Sequence, residues 1–307
     1  MSTGWVAAQV RSRGLVQHCL GPDRTRQLAE AGSLRVALDV LGTTAYAKQL
    51  RPDLDLASAG RAVAGSVLWN LRVLAGWSPP LGASRLRVLA GAFELANLRG
   101  ELARLEGHEA PHPYELGSFA TVPRLSSVTT VGDLRSALAA SPWGDPGASE
   151  RSALVLGLEL ALAHRVAEDV PEAAGWATTY AALVFARCLA SGVSLEPGSP
   201  TATHARAVLG ERLARARSLR ELAEGLPRQS TWLLVDVSGP EDLWAAEAGW
   251  WHRLWREGLV LVMRGRPEPA ATVGAVAALA ADAWRVRAAL EVAARQGRGA
   301  EVLDGVA

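Results

Sequence analysis

The sequence is poor in lysine. Lysine and arginine together account for 32 of its 307 residues, yet Lys48 is the only lysine. A Walker A phosphate-binding loop needs a Gly-Lys-Ser/Thr step, and Lys48 stands between Ala47 and Gln49. No S-x-x-K motif surrounds it either, so Schiff-base or acyl-transfer chemistry at this residue has no support. The shortage of lysine therefore excludes the P-loop ATPases.

Cysteine is almost as rare. The two cysteines, Cys19 and Cys188, lie far apart and form no C-x-x-C pair. A disulfide framework is therefore not predicted, and a reducing, cytoplasmic setting is favoured. We expect both thiols to be buried as small apolar side chains.

Long hydrophobic runs are missing too. The longest uncharged stretches, residues 173–186 and 269–281, are shorter than the roughly 18 residues that a bilayer span requires. Residues 1–14 contain two arginines without an apolar segment behind them, so no signal peptide is predicted. We expect a soluble chain that could rest on a membrane complex.

The common catalytic motifs are absent as well. The sequence contains no G-x-S-x-G, H-E-x-x-H or G-x-G-x-x-G pattern. His108 and His112 have i, i+4 spacing, but Pro111 and Pro113 prevent the helix that would place them on one face. We therefore predict no catalytic residue, no cofactor and no metal site.

Neither sign of charge predominates. The formal net charge is +1, so no global field attracts nucleic acid. Arginines are concentrated in a predicted helix of residues 204–216 and just after it, where Glu211 with Arg215, and Arg217 with Glu221, form i, i+4 pairs of opposite charge. Such pairs are typical of a solvated helix face, and nucleic-acid binding is not predicted.

Alanine and leucine are abundant. Hydrophobic residues make up 49% of the chain and aromatic residues only 6%, a balance typical of packed helices. Sheets would favour β-branched and aromatic residues. Residues 231–237 could form a lone strand, but without an obvious partner strand a helical or extended connector is preferred. The predicted fold class is all-α.

The most regular segment is residues 85–107. Its apolar residues recur at steps of three and four, which predicts one long helix with an apolar face. Glu94 and Asn97 interrupt that face, and Gly107 ends the segment. We predict that Glu94, Asn97 and Arg99 tie this helix to a neighbouring segment or to the turn that follows.

Weaker copies of this helix occur twice more. When Leu98 is aligned with Leu183 and Val286, each lies in a predicted helix that ends at a glycine a similar distance further on. These glycines are Gly107, Gly192 and Gly297. The pattern favours a threefold repeat of a helical module. The three domains would span residues 1–120, 121–200 and 201–307.

Tryptophan is concentrated in one predicted helix, residues 242–263. Trp244, Trp251 and Trp255 stand at i, i+7 and i+11, which is one helical face. A ligand-stacking platform and a packing stripe both fit this spacing. Large aromatic side chains anchor packing more often than they bind ligands, so a core or interface stripe is preferred.

Four stretches, taken in order, resemble the C subunit of the bacterial and archaeal V/A-type rotary ATPases, a relative of the d subunit of the eukaryotic V-ATPase. Residues 10–15 resemble the R-x-R start of that family, and residues 34–50 resemble its helix followed by a T-x-Y turn. Residues 94–99, with the Leu-Gly pair at 116–117, resemble its E/D-x-x-N-L-R helix and following L-G segment. Residues 282–287 resemble the last copy of that helix.

The middle and last copies depart from the family pattern. Residues 182–184 read Ala-Leu-Val where Asn-Leu-Arg would be expected, and Arg285 stands at the asparagine position of the last copy. The resemblance gives the motif residues a structural role rather than a catalytic one. These residues are Glu94, Asn97, Leu98, Arg99, Asp282, Arg285 and Arg287.

The resemblance implies a non-catalytic rotor subunit, with three similar helical domains arranged as a funnel. Such a protein links the central axle (the D and F subunits) to the membrane rotor ring and transmits torque for coupled proton or sodium transport. It is a monomer within a hetero-oligomeric complex, peripheral on the cytoplasmic face of the membrane. Two alternatives stay open: a helical-repeat interaction scaffold without ATPase association, and a helical enzyme with an unrecognised pocket.

Overall fold

The structure is a computed structural model, and it describes residues 3–123, 125–193, 195–264 and 268–296. Those residues form α-helices and short 3₁₀-helices joined by turns, and no β-strand occurs among them. The prediction of an all-α fold is therefore confirmed. No helix within the described ranges is long and apolar enough to cross a membrane.

The α-helices in chain order are α1 (Thr3–Gln17), α2 (Gly21–Ala29), α3 (Leu34–Leu41), α4 (Leu56–Trp77), α5 (Pro80–Leu89), α6 (Gly91–Leu105), α7 (Val131–Ala139), α8 (Arg151–Asp169), α9 (Ala174–Ala190), α10 (Pro200–Leu209), α11 (Glu211–Ala214), α12 (Leu219–Gly225), α13 (Leu243–Met263) and α14 (Pro269–Ala294). Their contacts group into two compact units. Unit 1 comprises the described residues up to Leu86 and those from Glu247 onward, and unit 2 comprises Arg87–Ala246. The division into three domains stays a prediction.

Unit 1 is built around α14. This helix packs against α1, α2, α3 and α4 and is buried on nearly all sides. Alanine and glycine supply half of its residues, and their small side chains let neighbouring backbones come close. A close approach joins α14 to α13, where a Cβ on Gly274 would lie 2.6 Å from the carbonyl oxygen of Gly258.

Unit 2 has its own apolar core between α6, α7, α8 and the connection from α6 to α7. The buried side chains that form it are Leu95, Leu98, Leu102, Val122, Val128, Leu134, Leu138, Trp143, Leu154, Leu158 and Leu162. α8 also packs against α9 and α10. Because these residues belong to different elements, their burial fixes how the elements of unit 2 pack together.

The prediction of one long helix over residues 85–107 is wrong. The segment forms the end of α5 and then α6, with a break at Ala90. The Phe93 N–H donates to the Ala90 carbonyl at 3.0 Å, which makes a tight first turn. At Gly91 a Cβ would lie 2.7 Å from the Cδ1 atom of Leu162, the end of a flexible side chain, so α8 passes close to the start of α6.

Two further segments differ from the predictions. The predicted helix of residues 204–216 is divided into α10 and α11 at Gly210, whose φ of 82° lies in the left-handed region that glycine adopts most easily. The proposed lone strand of residues 231–237 is absent. The chain forms a 3₁₀-helix over Arg228–Leu233 instead, in line with the preferred helical connector.

Candidate functional site

Glu94 is the centre of a buried hydrogen-bond network in unit 2. It lies on α6 and is only 2% exposed. Its Oε1 accepts the N–H groups of Thr121 at 2.6 Å and Val122 at 2.9 Å. Its Oε2 accepts the Thr121 hydroxyl at 2.5 Å and the indole N–H of Trp143 at 2.8 Å. Four donors therefore replace the water that this carboxylate would otherwise bind.

Asn97 lies one turn further along α6 and binds a different part of the same connection. Its Nδ2 donates to the Tyr114 carbonyl at 2.8 Å, and its Oδ1 accepts the Tyr114 N–H at 2.6 Å. The Tyr114 ring also packs edge-on against Phe93, with 5.1 Å between the ring centres. Together Glu94 and Asn97 hold residues 114–122 against α6.

Leu98 and Arg99 face other neighbours. Leu98 is fully buried in the core of unit 2. Arg99 forms an ion pair with Glu159 of α8, and the same carboxylate accepts the Tyr180 hydroxyl of α9 at 3.1 Å. Burial beside Glu159 raises the pKa of Tyr180 well above its usual value, so this hydroxyl stays a donor. Arg99 thus connects α6 to the α8–α9 pair.

Asp282 plays a comparable part in unit 1. It lies on α14 and is fully buried. Its carboxylate accepts the N–H groups of Leu20 at 3.0 Å and Gly21 at 2.8 Å, and the Tyr46 hydroxyl at 2.8 Å. Burial raises the pKa of Asp282, and these hydrogen bonds and the nearby Arg285 offset that rise only in part. The contact fixes the start of α2 on α14.

Glu94 and Asp282 have the same kind of surroundings. Each carboxylate accepts two successive backbone N–H groups and one aromatic donor, and each lies four residues before a fully buried apolar residue, Leu98 or Val286. We call this arrangement the carboxylate joint. The matching position before Leu183 is Thr179, whose hydroxyl donates to carbonyls of its own helix.

Arg285 does not make the contacts of Asn97, although it occupies the corresponding position. It is 2% exposed, and its guanidinium carbon lies 4.9 Å from the centre of the Trp255 ring. Within the described residues its side-chain nitrogens have no hydrogen-bond acceptor. Burial lowers its pKa, and attraction to Asp282 opposes that shift. Arg287, two residues further on, is exposed.

The tryptophans of α13 divide between packing and solvent. Trp251 stacks on Trp284 of α14, with 5.8 Å between ring centres and 17° between planes. Trp250 meets Trp251 edge-on at 4.8 Å. Trp255 faces Arg285, whereas Trp244 is 50% exposed. Apart from Trp244, these rings make contacts within the protein, which is the packing role preferred from the sequence.

The residues predicted to be chemically inactive are spread through the structure. Cys188 is buried, which raises the pKa of its thiol to about 11, while Cys19 is only half-buried. His108 and His112 are both exposed. Among the described residues, no group of three or more His, Cys, Asp or Glu side chains could hold a metal ion.

Sequence reasoning missed two features of unit 2. His164 of α8 and His204 of α10 place their Nδ1 atoms 3.1 Å apart, and burial beside His164 lowers the pKa of His204. The second feature is a groove beside α10. The histidine pair has no signal in the sequence, because helix packing brings the two rings together. The groove is signalled only by the concentration of arginines around residues 204–217, since its apolar residues come from other elements.

Comparison with known proteins adds no relative: no protein-family model matches the chain, and no curated protein matches it significantly.

Proposed function

We propose that the protein is a non-catalytic rotor subunit of a V/A-type rotary ATPase. It would link the central axle, formed by the D and F subunits, to the membrane rotor ring on the cytoplasmic side and transmit torque for proton or sodium transport. The proposal begins from the order of the motifs at residues 10–15, 34–50, 94–99 and 282–287, which resemble the C subunit of these complexes.

The observation that carries the proposal is the carboxylate joint. The two sequence copies that contain Glu94 and Asp282 use their carboxylates in the same way. Glu94 binds the backbone of a loop to α6, and Asp282 binds the start of α2 to α14. A repeated architectural contact is what a repeat of structural modules requires. An enzyme would instead need a cavity into which free reactive groups converge, whereas the Glu94 carboxylate accepts four hydrogen bonds and the Asp282 carboxylate accepts three.

Close packing supports a mechanical role. The core of unit 2 and the contact between α13 and α14 leave little room for side chains to shift. A close-packed interior resists deformation and transmits strain. Charge-assisted hydrogen bonds at Glu94, Asp282 and Arg99 add directional restraints to that packing. Such an interior suits a part that must carry torque without yielding.

Co-purification tests the proposal directly. The full chain, carrying an affinity tag, would be isolated from detergent-solubilised membranes of the cells that make it, with untagged cells as control. We expect axle and ring subunits of a rotary ATPase to co-purify in fixed stoichiometry. In inverted membrane vesicles from a deletion strain, ATP hydrolysis should no longer drive ion uptake, and the gene supplied in trans should restore it.

Two results would overturn the proposal. One is recovery of the tagged chain without either the axle or the ring subunits. The other is ATP-driven ion uptake that stays coupled after deletion. Stable recovery with a different, non-ATPase assembly would favour the helical-repeat scaffold instead.

A further inference from the structure

Unit 2 contains a groove that none of the contacts described so far uses. It lies beside the C-terminal end of α9, between the loop after that helix and the segment from α10 to the residues after α11, and its volume is about 790 Å³. This is large enough for several side chains, since pockets for small ligands range from about 300 to 1,000 Å³. We call it the α9–α11 groove.

The floor of the α9–α11 groove is apolar. Phe185 and Leu189 of α9, Leu195 of the following loop and Ala202 of α10 line it. Leu189 and Leu195 are half-buried, whereas Phe185 is only 3% exposed and presents little of its ring. The floor therefore offers aliphatic surface but no open aromatic face.

The rim of the groove is cationic. Arg206, Arg215 and Arg217 line it, together with a single acidic residue, Glu211. Arg215 pairs with Glu211 at 2.5 Å, but their side chains are 76% and 54% exposed, so water and salt weaken that pair. Arg206 donates to the Thr203 hydroxyl at 3.2 Å from only one of its nitrogens. Within the described residues no further acceptor binds these three guanidinium groups, so most of their donors are available to an incoming acceptor.

We propose that the α9–α11 groove binds an acidic amphipathic segment of a protein partner. Its aliphatic side chains would cover Leu189 and Leu195, and its carboxylates would meet Arg206, Arg215 and Arg217. Arginine recognises carboxylates through paired N–H donors, and a partner carboxylate that displaces Glu211 keeps the pairing of Arg215 intact. The proposal stands independently of the rotor function, because it concerns the isolated chain.

Other anionic ligands fit the groove less well. Single-stranded nucleic acid needs exposed aromatic rings on which bases stack, and Phe185 is covered. A nucleotide phosphate would bind the arginines, which recognise phosphate as well as carboxylate, but it would leave the half-buried Leu189 and Leu195 uncovered. Leu189 and Leu195 beside three arginines match a segment that carries both aliphatic and acidic side chains.

Fluorescence anisotropy with the full chain tests this proposal. The probe is a labelled 14-residue peptide with leucine at i, i+3, i+4 and i+7 spacing and glutamate elsewhere; a matched peptide has glutamine in place of glutamate. We expect the glutamate peptide to bind at least tenfold more tightly than the glutamine peptide, and to lose most of its affinity between 50 and 500 mM salt.

Charge-reversal variants test whether the peptide binds in the α9–α11 groove. R215E and R217E should each weaken the glutamate peptide at least fivefold. R220E is the matched control, because Arg220 is an exposed arginine of α12 that pairs with Glu224 and does not line the groove. All three positions lie outside the buried core, so circular dichroism should show unchanged folding.

Three outcomes would overturn the proposal. They are absence of binding at millimolar protein, equal binding of both peptides, and equal weakening by R220E. A labelled oligothymidylate that binds more tightly than the glutamate peptide and is weakened by R215E and R217E would assign the groove to nucleic acid and reject the peptide.

Discussion

At position 97 an asparagine on a helix pairs with the backbone of a residue seventeen positions away. Both polar groups of its amide are used, one accepting the N–H and the other donating to the C=O of Tyr114. Asn97 is only 8% exposed, so water cannot replace either bond fully. This geometry explains why a poor helix former stands in the middle of α6.

Replacing Asn97 by alanine should destabilise the protein. N97A removes the side chain that bonds both Tyr114 groups, and an unsatisfied buried hydrogen-bonding group costs about 1–3 kcal/mol. Urea denaturation followed by circular dichroism measures the free energy of unfolding. The control is N70A on α4, whose half-buried side chain makes no hydrogen bond within the described residues; its effect should stay within about 0.5 kcal/mol. Equal effects of the two substitutions would reject the role given to Asn97.

Asp282 should make stability depend on pH with a definite sign. Burial raises its pKa above the ordinary 3.8, so the folded state holds the proton more tightly than the unfolded state. The contribution that this tighter proton binding makes to the free energy of unfolding is complete below pH 3.8. It is lost as pH rises through the pKa that Asp282 has in the folded state. Each pH unit by which the folded pKa exceeds the unfolded one corresponds to about 1.4 kcal/mol. The free energy of unfolding of wild type minus that of D282N should therefore fall as pH rises from the ordinary pKa.

Asp55 is the matched control for that pH dependence. It caps α4 by accepting the Ser58 N–H at 2.6 Å, and this bond lowers its pKa. Its contribution is present above the ordinary pKa and disappears as pH falls through the lowered one. The wild-type minus D55N difference should accordingly rise with pH. If the wild-type minus D282N difference in the free energy of unfolding also rose with pH, the hydrogen bonds would outweigh burial in setting the pKa of Asp282.

At the scale of elements, the crossing of α13 and α14 depends on two glycines. A Cβ on Gly274 would lie 2.6 Å from the Gly258 carbonyl oxygen and 2.7 Å from the Leu261 Cβ, both closer than atoms can come without movement. G274A must push two helix backbones apart, and overpacking of this kind costs about 1–3 kcal/mol. We expect this destabilisation to lower the urea concentration at the midpoint of unfolding relative to the wild type.

Gly14 of α1 provides the comparison, since a Cβ there meets nothing within 4 Å. G14A should leave stability unchanged or raise it by up to about 1 kcal/mol, because alanine is the better helix former. If G274A changed the free energy of unfolding no more than G14A does, that result would contradict the close approach of α13 and α14.

At the scale of the whole molecule, the two compact units lead to a prediction about autonomous folding. Unit 2 is a continuous stretch, Arg87–Ala246, with its own core. Expressed alone, it should be helical by circular dichroism and unfold cooperatively, and N97A should destabilise it as it does the full chain. The predicted middle domain, residues 121–200, lacks α6 with Glu94 and should fail to fold. Cooperative unfolding of 121–200 alone would favour the three-domain division.

The sequence by itself determined the fold class and much of the helix pattern. The abundance of alanine and leucine and the apolar spacing are local properties, and they predicted an all-α chain. The apolar spacing also showed that Glu94 and Asn97 interrupt the apolar face of their helix. Their partners could not be predicted, because Tyr114, Thr121 and Trp143 are reached only when the following connection folds back on α6.

Tertiary structure alone decided which polar groups meet. The pairing of Asp282 with Tyr46, for example, joins residues 236 positions apart. Hydrogen bonds and close packing act over a few ångströms in space, whereas sequence patterns report spacing along the chain. The carboxylate joint and the arginine rim of the α9–α11 groove exist only after the helices have packed.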